Sequence, residues 1–281
     1  MKIVKSITLM QQISRRCRRQ GDRIGFVPTM GALHQGHLSL IHRALRENDT
    51  VVVSVFVNPA QFVAGEDFKK YPRNLSYDIG ICRKEGVDII FYPSAKQMYP
   101  AGYKTHVEVK DLNSTLCGKF RPGHFRGVAT IVAKLFNIVE PDAAYFGQKD
   151  AQQAVIIRKM AQDLNMPLSI IIAPTKRHDD GLAMSSRNIY LNSRERKSAV
   201  VLNRALEFGR KIISSGQRNS RSIIAGIKNL IQKEPRVKIQ YLEIVDSANL
   251  KPLAKVKGRV LIALAAYIGK TRLIDNIIVK V

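Results

Sequence analysis

Short apolar runs alternate with amphipathic stretches through the first two-thirds of the chain. The run Val51–Val57 contains one polar residue, and such runs are typical of strands that helices cover on both faces. The stretches between these runs place apolar residues three and four positions apart, which predicts helices. The pattern therefore predicts a parallel sheet between two helix layers, in a doubly wound, Rossmann-like α/β fold.

The predicted strands of this part are Ile24–Pro28, Thr50–Val57, Val87–Tyr92, Thr105–Val109, Ala143–Phe146 and Leu168–Ala173. The predicted helices are a first one capped by Ser6, then about Gly36–Glu47, Asn74–Glu85, Val128–Val139 and Ala151–Leu164.

The pattern changes after Asn192. Two basic amphipathic helices, about Ser193–Ser214 and Ser220–Lys233, precede three strand-like runs, Lys238–Val245, Arg259–Ala266 and Leu273–Val281. Strands that follow helices in this way indicate a small α+β domain with an antiparallel sheet. We therefore expect a Rossmann-like domain over residues 1–176 and a smaller C-terminal α+β lid domain over residues 177–281.

The charge of the chain narrows the choice of partner. Its 281 residues include 46 Lys and Arg against 22 Asp and Glu, a net charge of +24, which favours an anionic partner such as a nucleotide, a nucleic acid or a membrane surface. No aromatic-rich basic motif accompanies the charge, so we expect no nucleic acid. No apolar segment reaches the length of a membrane span, so we expect no membrane either.

Three cysteines, Cys17, Cys82 and Cys117, lie far apart in the sequence. Their odd number and wide spacing indicate neither a disulfide framework nor a cysteine zinc site. We therefore expect a cytoplasmic protein.

The segment Thr29–His37 is the first candidate site. It follows a predicted strand, begins a predicted helix and contains His34 and His37 in a His-x-Gly-His arrangement. Free N–H groups at a helix start favour an anion, and imidazoles donate to phosphate oxygens. The same histidines also fit half of a metal site, although no third ligand is evident, or a plain helix start.

Two further segments carry candidate phosphate ligands. Gly181–Asn188 combines serines with Arg187, which suits a mobile loop that contacts a polyphosphate. Phe146–Asp150 follows an apolar strand and places Lys149 at the carboxyl edge of the sheet. Helix capping explains the serines equally well and is the more ordinary explanation of Asp150.

These segments together resemble the pantothenate synthetase family, within the His-x-Gly-His nucleotidyltransferase superfamily. The resemblance covers most of residues 24–190 in that family's order. It rests on the His-x-Gly-His loop, Val57–Phe62, Tyr71–Arg73, Arg121–Thr130, Gly147–Asp150 and Met184–Asn188.

The resemblance implies ligation of pantoate to β-alanine in coenzyme A biosynthesis. ATP would be the co-substrate, a pantoyl-adenylate the intermediate, and AMP and diphosphate the products. His34, His37, Lys149 and Arg187 would be the catalytic residues, with His37 the usual acid. The ATP-binding residues would be Met30, Gly31, Ala32, Leu33, His34, Gln35, Gly36, His37, Gly147, Gln148, Lys149, Asp150, Lys176, Met184, Ser185, Ser186 and Arg187.

By the same resemblance, Gln61 and Gln153 would bind pantoate, and Gln61 would also lie near the amine of β-alanine. Asp78 resembles an acidic position near Mg²⁺. Lys176 stands where the family contacts the adenine through its backbone. The family also implies a homodimer.

Two other functions fit parts of the pattern. A nucleotidyltransferase would leave a nucleotide on its product instead of releasing AMP, and the full set of motifs argues against it. A basic RNA-binding protein would use the loops only structurally, and its RNA binding would depend steeply on salt.

Overall fold

The computed structural model describes residues 1–281, which form two compact units. The first consists of Met1–Ser114, Gly118–Gly147 and Ile156–Pro174; the second consists of Thr115–Cys117, Gln148–Val155 and Thr175–Val281. The last break, after Pro174, lies beside the division expected at 176/177. The second unit also includes Gln148–Val155, which that division placed in the first domain.

The first unit is built on a six-stranded parallel sheet with the strand order β1-β4-β3-β2-β5-β6. Its strands are β1 Lys2–Val4, β2 Ile24–Thr29, β3 Thr50–Val55, β4 Ile89–Phe91, β5 Ala143–Gly147 and β6 Ser169–Ala173. The helices in this part of the chain are α1 Ile7–Arg19, α2 Gln35–Glu47, α3 Leu75–Lys84, α4 Ala95–Met98, α5 Leu116–Phe120, α6 His124–Val139 and α7 Ala151–Asp163.

Strand β3 shows why an apolar run predicts a central strand. Five of its six residues are buried, all but Thr50, because β2 and β4 flank it in the sheet and helices cover the sheet. Strand β2 has β3 on one side and β5 on the other. The strands that follow β2 in the chain therefore lie first on one side of it and then on the other, which makes β2 the switch point of the sheet. The carboxyl ends of β2 and β5, at Thr29 and Gly147, lie at the same edge, where ligands bind in doubly wound sheets.

The second unit combines three helices with a three-stranded antiparallel sheet in the order β7-β8-β9. These elements are α8 Ser193–Ala199, α9 Val201–Ser214, α10 Ser220–Ile231, β7 Val237–Asp246, β8 Arg259–Ile268 and β9 Thr271–Lys280. The apolar faces of α9 and α10 pack with the central strand β8 into one core. The predicted fold class, a parallel α/β sheet followed by a small antiparallel α+β unit, is confirmed.

Two local expectations were wrong, and one strand was missed. Thr105–Val109 forms no strand; the N–H of Val107 donates instead to the hydroxyl of Thr130 at 2.9 Å. Ser193–Ser214 is two helices that meet at Val200. Strand β1 was not predicted, because three residues are too few for a periodic signal.

The helices are all too short or too polar to cross a membrane.

Candidate functional site

Thr29, the last residue of β2, anchors the start of the loop that leads to α2. The Thr29 hydroxyl donates to the carbonyl of Ser54 on β3 at 2.8 Å and accepts from the N–H of Gly31 at 3.1 Å. Gly31 then takes a φ of +80°, and Ala32 follows at +53°. These left-handed residues turn the chain sharply from the sheet edge into the helix.

Asp78, in the first turn of α3, fixes this turn from the outside. Its two carboxylate oxygens accept from the N–H groups of Ala32 at 3.0 Å and Leu33 at 2.8 Å. Asp78 is 1% exposed, and this burial raises the pKa of its carboxyl, although the two backbone donors act in the opposite direction. A Cβ on Gly31 would lie 2.7 Å from the Asp78 carboxylate, so the approach requires glycine.

The two histidines cap α2 through their rings. Nδ1 of His34 accepts from the N–H of Gly36 at 3.1 Å, and Nδ1 of His37 accepts from the N–H of His34 at 3.3 Å. The ring centroids are 4.1 Å apart. Because a backbone N–H can only donate, each Nδ1 is an acceptor, and a neutral ring with that arrangement carries its proton on Nε2. Each histidine therefore carries an Nε2–H donor at the helix start.

Gln61 lies next to Met30. Gln61 ends a 3₁₀ turn, Pro59–Gln61, and its Nε2 lies 3.0 Å from the Met30 sulfur. Gly127 of α6 lets this turn pack closely, because a Cβ there would lie 2.1 Å from the carbonyl oxygen of Ala60. Gln35 is exposed and Leu33 is buried, so Leu33 offers a ligand only its backbone.

In the second unit, Lys149 and Ser185 line one small cavity of about 10 Å³ with Asn188 and Asp275. The ammonium of Lys149 lies 3.7 Å from the carboxylate of Asp150, and the Lys149 side chain is 20% exposed. This unit therefore joins the Lys149 segment to the serine loop, two segments that are separate motifs in the sequence.

Residues of β9 hold the Lys149 segment. The Asn276 amide donates to the carbonyl oxygens of Gln148 and Lys149, both at 2.9 Å. Its neighbour Asp275 makes a bidentate pair with Arg177 at 2.6 and 2.9 Å, and Arg177 also donates to the carbonyl of Gly181. The Asp275 and Asn276 residues are 3% and 4% exposed, so both act from inside the unit.

The sequence patterns did not identify Arg177, Asp275 or Asn276 as residues of the candidate site. The signal that could have revealed Asp275 and Asn276 is their position as adjacent polar residues within the apolar run of β9. Buried polar side chains need partners. Which partners they take is not visible in the sequence.

The segment Met184–Arg187 is extended up to Ser185 and then enters a 3₁₀ helix. The N–H of Met184 donates to the carbonyl of Lys176 at 3.0 Å, which brings these two candidate residues together. The Ser185 hydroxyl accepts from the N–H of Arg187 at 3.3 Å and caps the 3₁₀ helix Ser186–Tyr190. Ser186 and Arg187 are half-buried.

Gln153 lies half-buried on α7, beside the buried Gln152. The Gln152 side chain serves the fold: it accepts from the N–H of Cys117 at 2.9 Å and donates to the carbonyl of Thr115 at 2.7 Å. Gln153 is the more exposed of the two, which suits a side chain that meets a ligand.

Comparisons with known proteins point in one direction. The family model for pantoate-beta-alanine ligase matches residues 2–278. The pantothenate synthetase of Caldicellulosiruptor saccharolyticus is 52% identical over 281 residues, and that of Heliobacterium modesticaldum is 54% identical over 281 residues; each alignment covers 100% of both chains.

Solved structures agree with the relatives. The pantothenate synthetase of Thermus thermophilus superposes with a TM-score of 0.94 at 42% identity and covers 99% of each chain. The pantoate-beta-alanine ligase of Francisella tularensis, crystallised with beta-gamma ATP and beta-alanine, gives a TM-score of 0.82 at 39% identity, over 99% of this chain and 97% of that one. With the family model matched across nearly all of its residues, this chain belongs to the pantoate-beta-alanine ligase family.

Proposed function

We propose that this protein joins pantoate to β-alanine with ATP as co-substrate, forming pantothenate, AMP and diphosphate through a pantoyl-adenylate. The observation that carries the proposal is the match to the family over residues 2–278. The arrangement of donors in each unit supports the roles of individual residues.

In the first step, a carboxylate oxygen of pantoate attacks the α-phosphorus of ATP. The new O–P bond forms as the bond between the α-phosphorus and its bridging oxygen breaks, and diphosphate leaves with the electron pair. This displacement needs positioning and charge stabilisation more than a nucleophile from the protein. No proton is removed from the carboxylate, which is already ionised.

His34 and His37 supply neutral donors for this step. Their Nδ1 atoms are engaged by backbone N–H groups, so Nε2–H is the ring donor for phosphate oxygens. With Nδ1 engaged, each ring is suited to hydrogen bonding rather than to shuttling a proton between its two nitrogens. We therefore assign both histidines to charge stabilisation, with Met30–Gly36 contacting the nucleotide mainly through backbone.

Lys149 and Arg187 supply the positive charge. Lys149 would meet the α-phosphate oxygens, and Arg187, with Ser185 and Ser186, would contact the remaining phosphates. Gly147, Gln148, Asp150, Lys176 and Met184 would complete the nucleotide contacts. The carbonyl of Lys176 ties its segment to Met184, which supports a backbone contact with the adenine.

Gln61 and Gln153 would hold the small acid through their amides. In the second step, the neutral amine of β-alanine attacks the acyl carbon of the adenylate. The bond from that carbon to the phosphate oxygen breaks, AMP leaves with the electron pair, and the amine nitrogen loses a proton. The adenylate must be kept from water, since water attacks the same carbon.

Mg²⁺ would accompany ATP, but Asp78 does not fit as its ligand. Both Asp78 oxygens accept backbone N–H groups and the residue is 1% exposed. No group of three His, Cys, Asp or Glu side chains in residues 1–281 is placed to hold a metal. We therefore assign Asp78 to holding the loop Thr29–His37 rather than to binding Mg²⁺.

A homodimer in the cytoplasm fits two features of the chain. Its three cysteines are free and buried, which suits a reducing compartment. Residues 105–109 carry a strand-like sequence but belong to no strand, and in the proposed dimer this segment would pair with a strand of the second copy. Sedimentation of the purified protein at several concentrations measures the assembly directly.

An assay with ATP, pantoate and β-alanine, omitting each in turn, tests the function. We expect AMP and pantothenate only when all three are present. Equal AMP release with unrelated acids would contradict pantoate as the substrate. A product that retains the nucleotide would indicate a nucleotidyltransferase instead.

A further inference from the structure

The side chain of Asn58 has only one orientation that satisfies its neighbours. Its Oδ1 accepts from the N–H of Ala60 at 3.3 Å, and a backbone N–H can only donate. Its Nδ2 lies 3.1 Å from the carbonyl oxygen of Gly127, which can only accept. Asn58 is 1% exposed, so the amide cannot turn over without leaving buried groups unpaired.

This orientation decides which way Gln61 faces. The Asn58 Nδ2 also donates to the Oε1 of Gln61 at 3.1 Å. The oxygen of the Gln61 amide is thereby engaged, and its Nε2 lies on the other side, 3.0 Å from the Met30 sulfur, a weak acceptor. The half-buried Gln61 therefore offers N–H, and not an oxygen, to a bound molecule.

Tyr99 closes the chain of hydrogen bonds. Its hydroxyl donates to the Oδ1 of Asn58 at 2.8 Å. Burial raises the pKa of the Tyr99 hydroxyl, so it remains a donor across the physiological range. The ring of Tyr103 packs edge-on against Tyr99 with centroids 5.2 Å apart, and the Lys134 ammonium lies 4.5 Å from the Tyr103 centroid and 5.8 Å from that of Tyr99.

The two hydrogen bonds run in one direction. Tyr99 donates to Asn58, Asn58 donates to Gln61, and Gln61 has N–H left to donate. We propose that Tyr99 is a positioning residue: together with the backbone of Ala60 and Gly127, it holds the Asn58 amide that fixes the polarity of the Gln61 amide. The acid pocket then accepts an oxygen of pantoate and not the amine of β-alanine. This inference rests on the proposed function of the site.

The proposal changes one expectation from the sequence. Gln61 was expected near the amine of β-alanine as well as near pantoate. An ammonium or amine N–H would need the Gln61 oxygen, and that oxygen is turned towards Asn58. The side chain of Gln61 should therefore discriminate for pantoate, whose carboxylate and hydroxyl oxygens accept hydrogen bonds.

The test compares Tyr99→Phe with Tyr103→Phe in the full-length enzyme. Both variants lose one hydroxyl from the same pair of rings, but only the Tyr99 hydroxyl bonds Asn58. We expect Tyr99→Phe to raise the KM for pantoate roughly tenfold, the size of one hydrogen bond, with the KM values for ATP and β-alanine changed less than about twofold. Tyr103→Phe should leave all three unchanged.

A second comparison separates positioning from a general structural effect. In a Gln61→Ala background the amide that Tyr99 orients is gone, so adding Tyr99→Phe should cause no further rise in the KM for pantoate. An equal rise in both backgrounds, or equal behaviour of the two tyrosine variants, would overturn the proposal. Loss of pantoate-dependent AMP formation in the wild type itself would overturn the proposed function instead.

Asn58→Asp changes the same network one residue closer to Gln61. The new carboxylate oxygen would face the Gln61 oxygen, and the Gln61 amide would reverse to donate to it. Gln61 would then present its oxygen to the pocket, and we expect pantoate saturation to weaken more than about tenfold while ATP binding is retained. Unchanged pantoate saturation in this variant would also overturn the proposal.

Discussion

Two segments that we propose bind the phosphates of ATP are built by different means. The loop Thr29–His37 is held by contacts within itself, by the carbonyl of Ser54 on β3 and by the carboxylate of Asp78 on α3. The segment Gln148–Asp150 is held by Asn276, which lies 127 residues after Lys149 in the chain. The first segment can therefore be recognised from a local sequence motif. The position of the second segment depends on contacts with β9, the last strand of the protein.

The two segments also differ in what they offer a ligand. The histidine loop offers an anion two Nε2–H donors and the N-terminus of α2. The two rings are neutral, so this segment attracts the anion without a formal positive charge. Lys149 presents a full positive charge, and hydrogen bonds from charged donors are about twice as strong as neutral ones. We therefore expect a substitution of Lys149 to lower activity more than a substitution of either histidine.

Lys149→Ala should cause the largest loss. Without the ammonium, the charge that develops on the α-phosphate is not balanced, and we expect adenylate formation to fall roughly 10³-fold. The rate of pantoate-dependent AMP formation measures it. The matched control is Lys159→Ala, which removes a surface lysine paired with Asp163 and should leave the rate unchanged. Near-normal turnover of Lys149→Ala would place the phosphate elsewhere.

His37→Asn should be the next largest. An asparagine oxygen can accept the N–H of His34 as Nδ1 does, but the variant lacks Nε2–H. We therefore expect adenylation to fall about 10²-fold, while urea unfolding shows a stability within about 0.5 kcal/mol of the wild type.

Two further variants on α2 sharpen the histidine result. His37→Ala should lose the same activity and, in addition, about 1 kcal/mol of stability from the lost cap. His42→Ala, on the same helix but paired with Glu85 at the surface, should keep full activity. If His37→Asn were destabilised as much as His37→Ala, the assignment of Nδ1 as the capping acceptor would be wrong.

The contrast between the segments also explains what could be predicted from the sequence. The alternation of strands and helices and the His-x-Gly-His loop depend on short-range patterns, and the fold class followed from them. The partnerships of Asp78 with Ala32, or of Asn276 with Lys149, join residues far apart in the chain. A sequence pattern shows that such a buried polar residue needs a partner, and folding decides which one.

The expected strand Thr105–Val109 failed for a related reason. Its sequence suits a strand, but a strand requires a neighbour in the sheet, and β-propensity does not supply one. Lys149 could be recognised as a candidate ligand because it follows β5. That Gln148–Val155 belongs with the C-terminal unit could not, because this grouping arises from the contacts with β9.

Asn276→Ala tests whether β9 positions Lys149. The variant leaves the carbonyl oxygens of Gln148 and Lys149 without their buried donor, which should cost about 1–3 kcal/mol of stability. Lys149 itself remains, so we expect adenylation to fall only about tenfold, with a higher KM for ATP. Asn229→Ala, an exposed position on α10, is the control. Unchanged KM for ATP with lowered stability would leave Asn276 a purely structural role.

The smallest effect concerns the carboxyl that holds the histidine loop. Burial raises the pKa of Asp78 above its ordinary value of 3.8. The folded protein therefore keeps the Asp78 proton at a pH at which the unfolded chain has lost it. The stability that this proton contributes is fully present below pH 3.8 and is lost as the pH rises through the raised pKa.

Asp78→Asn removes this titration, so the difference in stability between the wild type and the variant should shrink as the pH rises through that window. Urea unfolding of both proteins across the acid range measures the difference. A difference that instead grew with pH would mean that ionised Asp78 is favoured in the fold, and that its two backbone donors outweigh its burial.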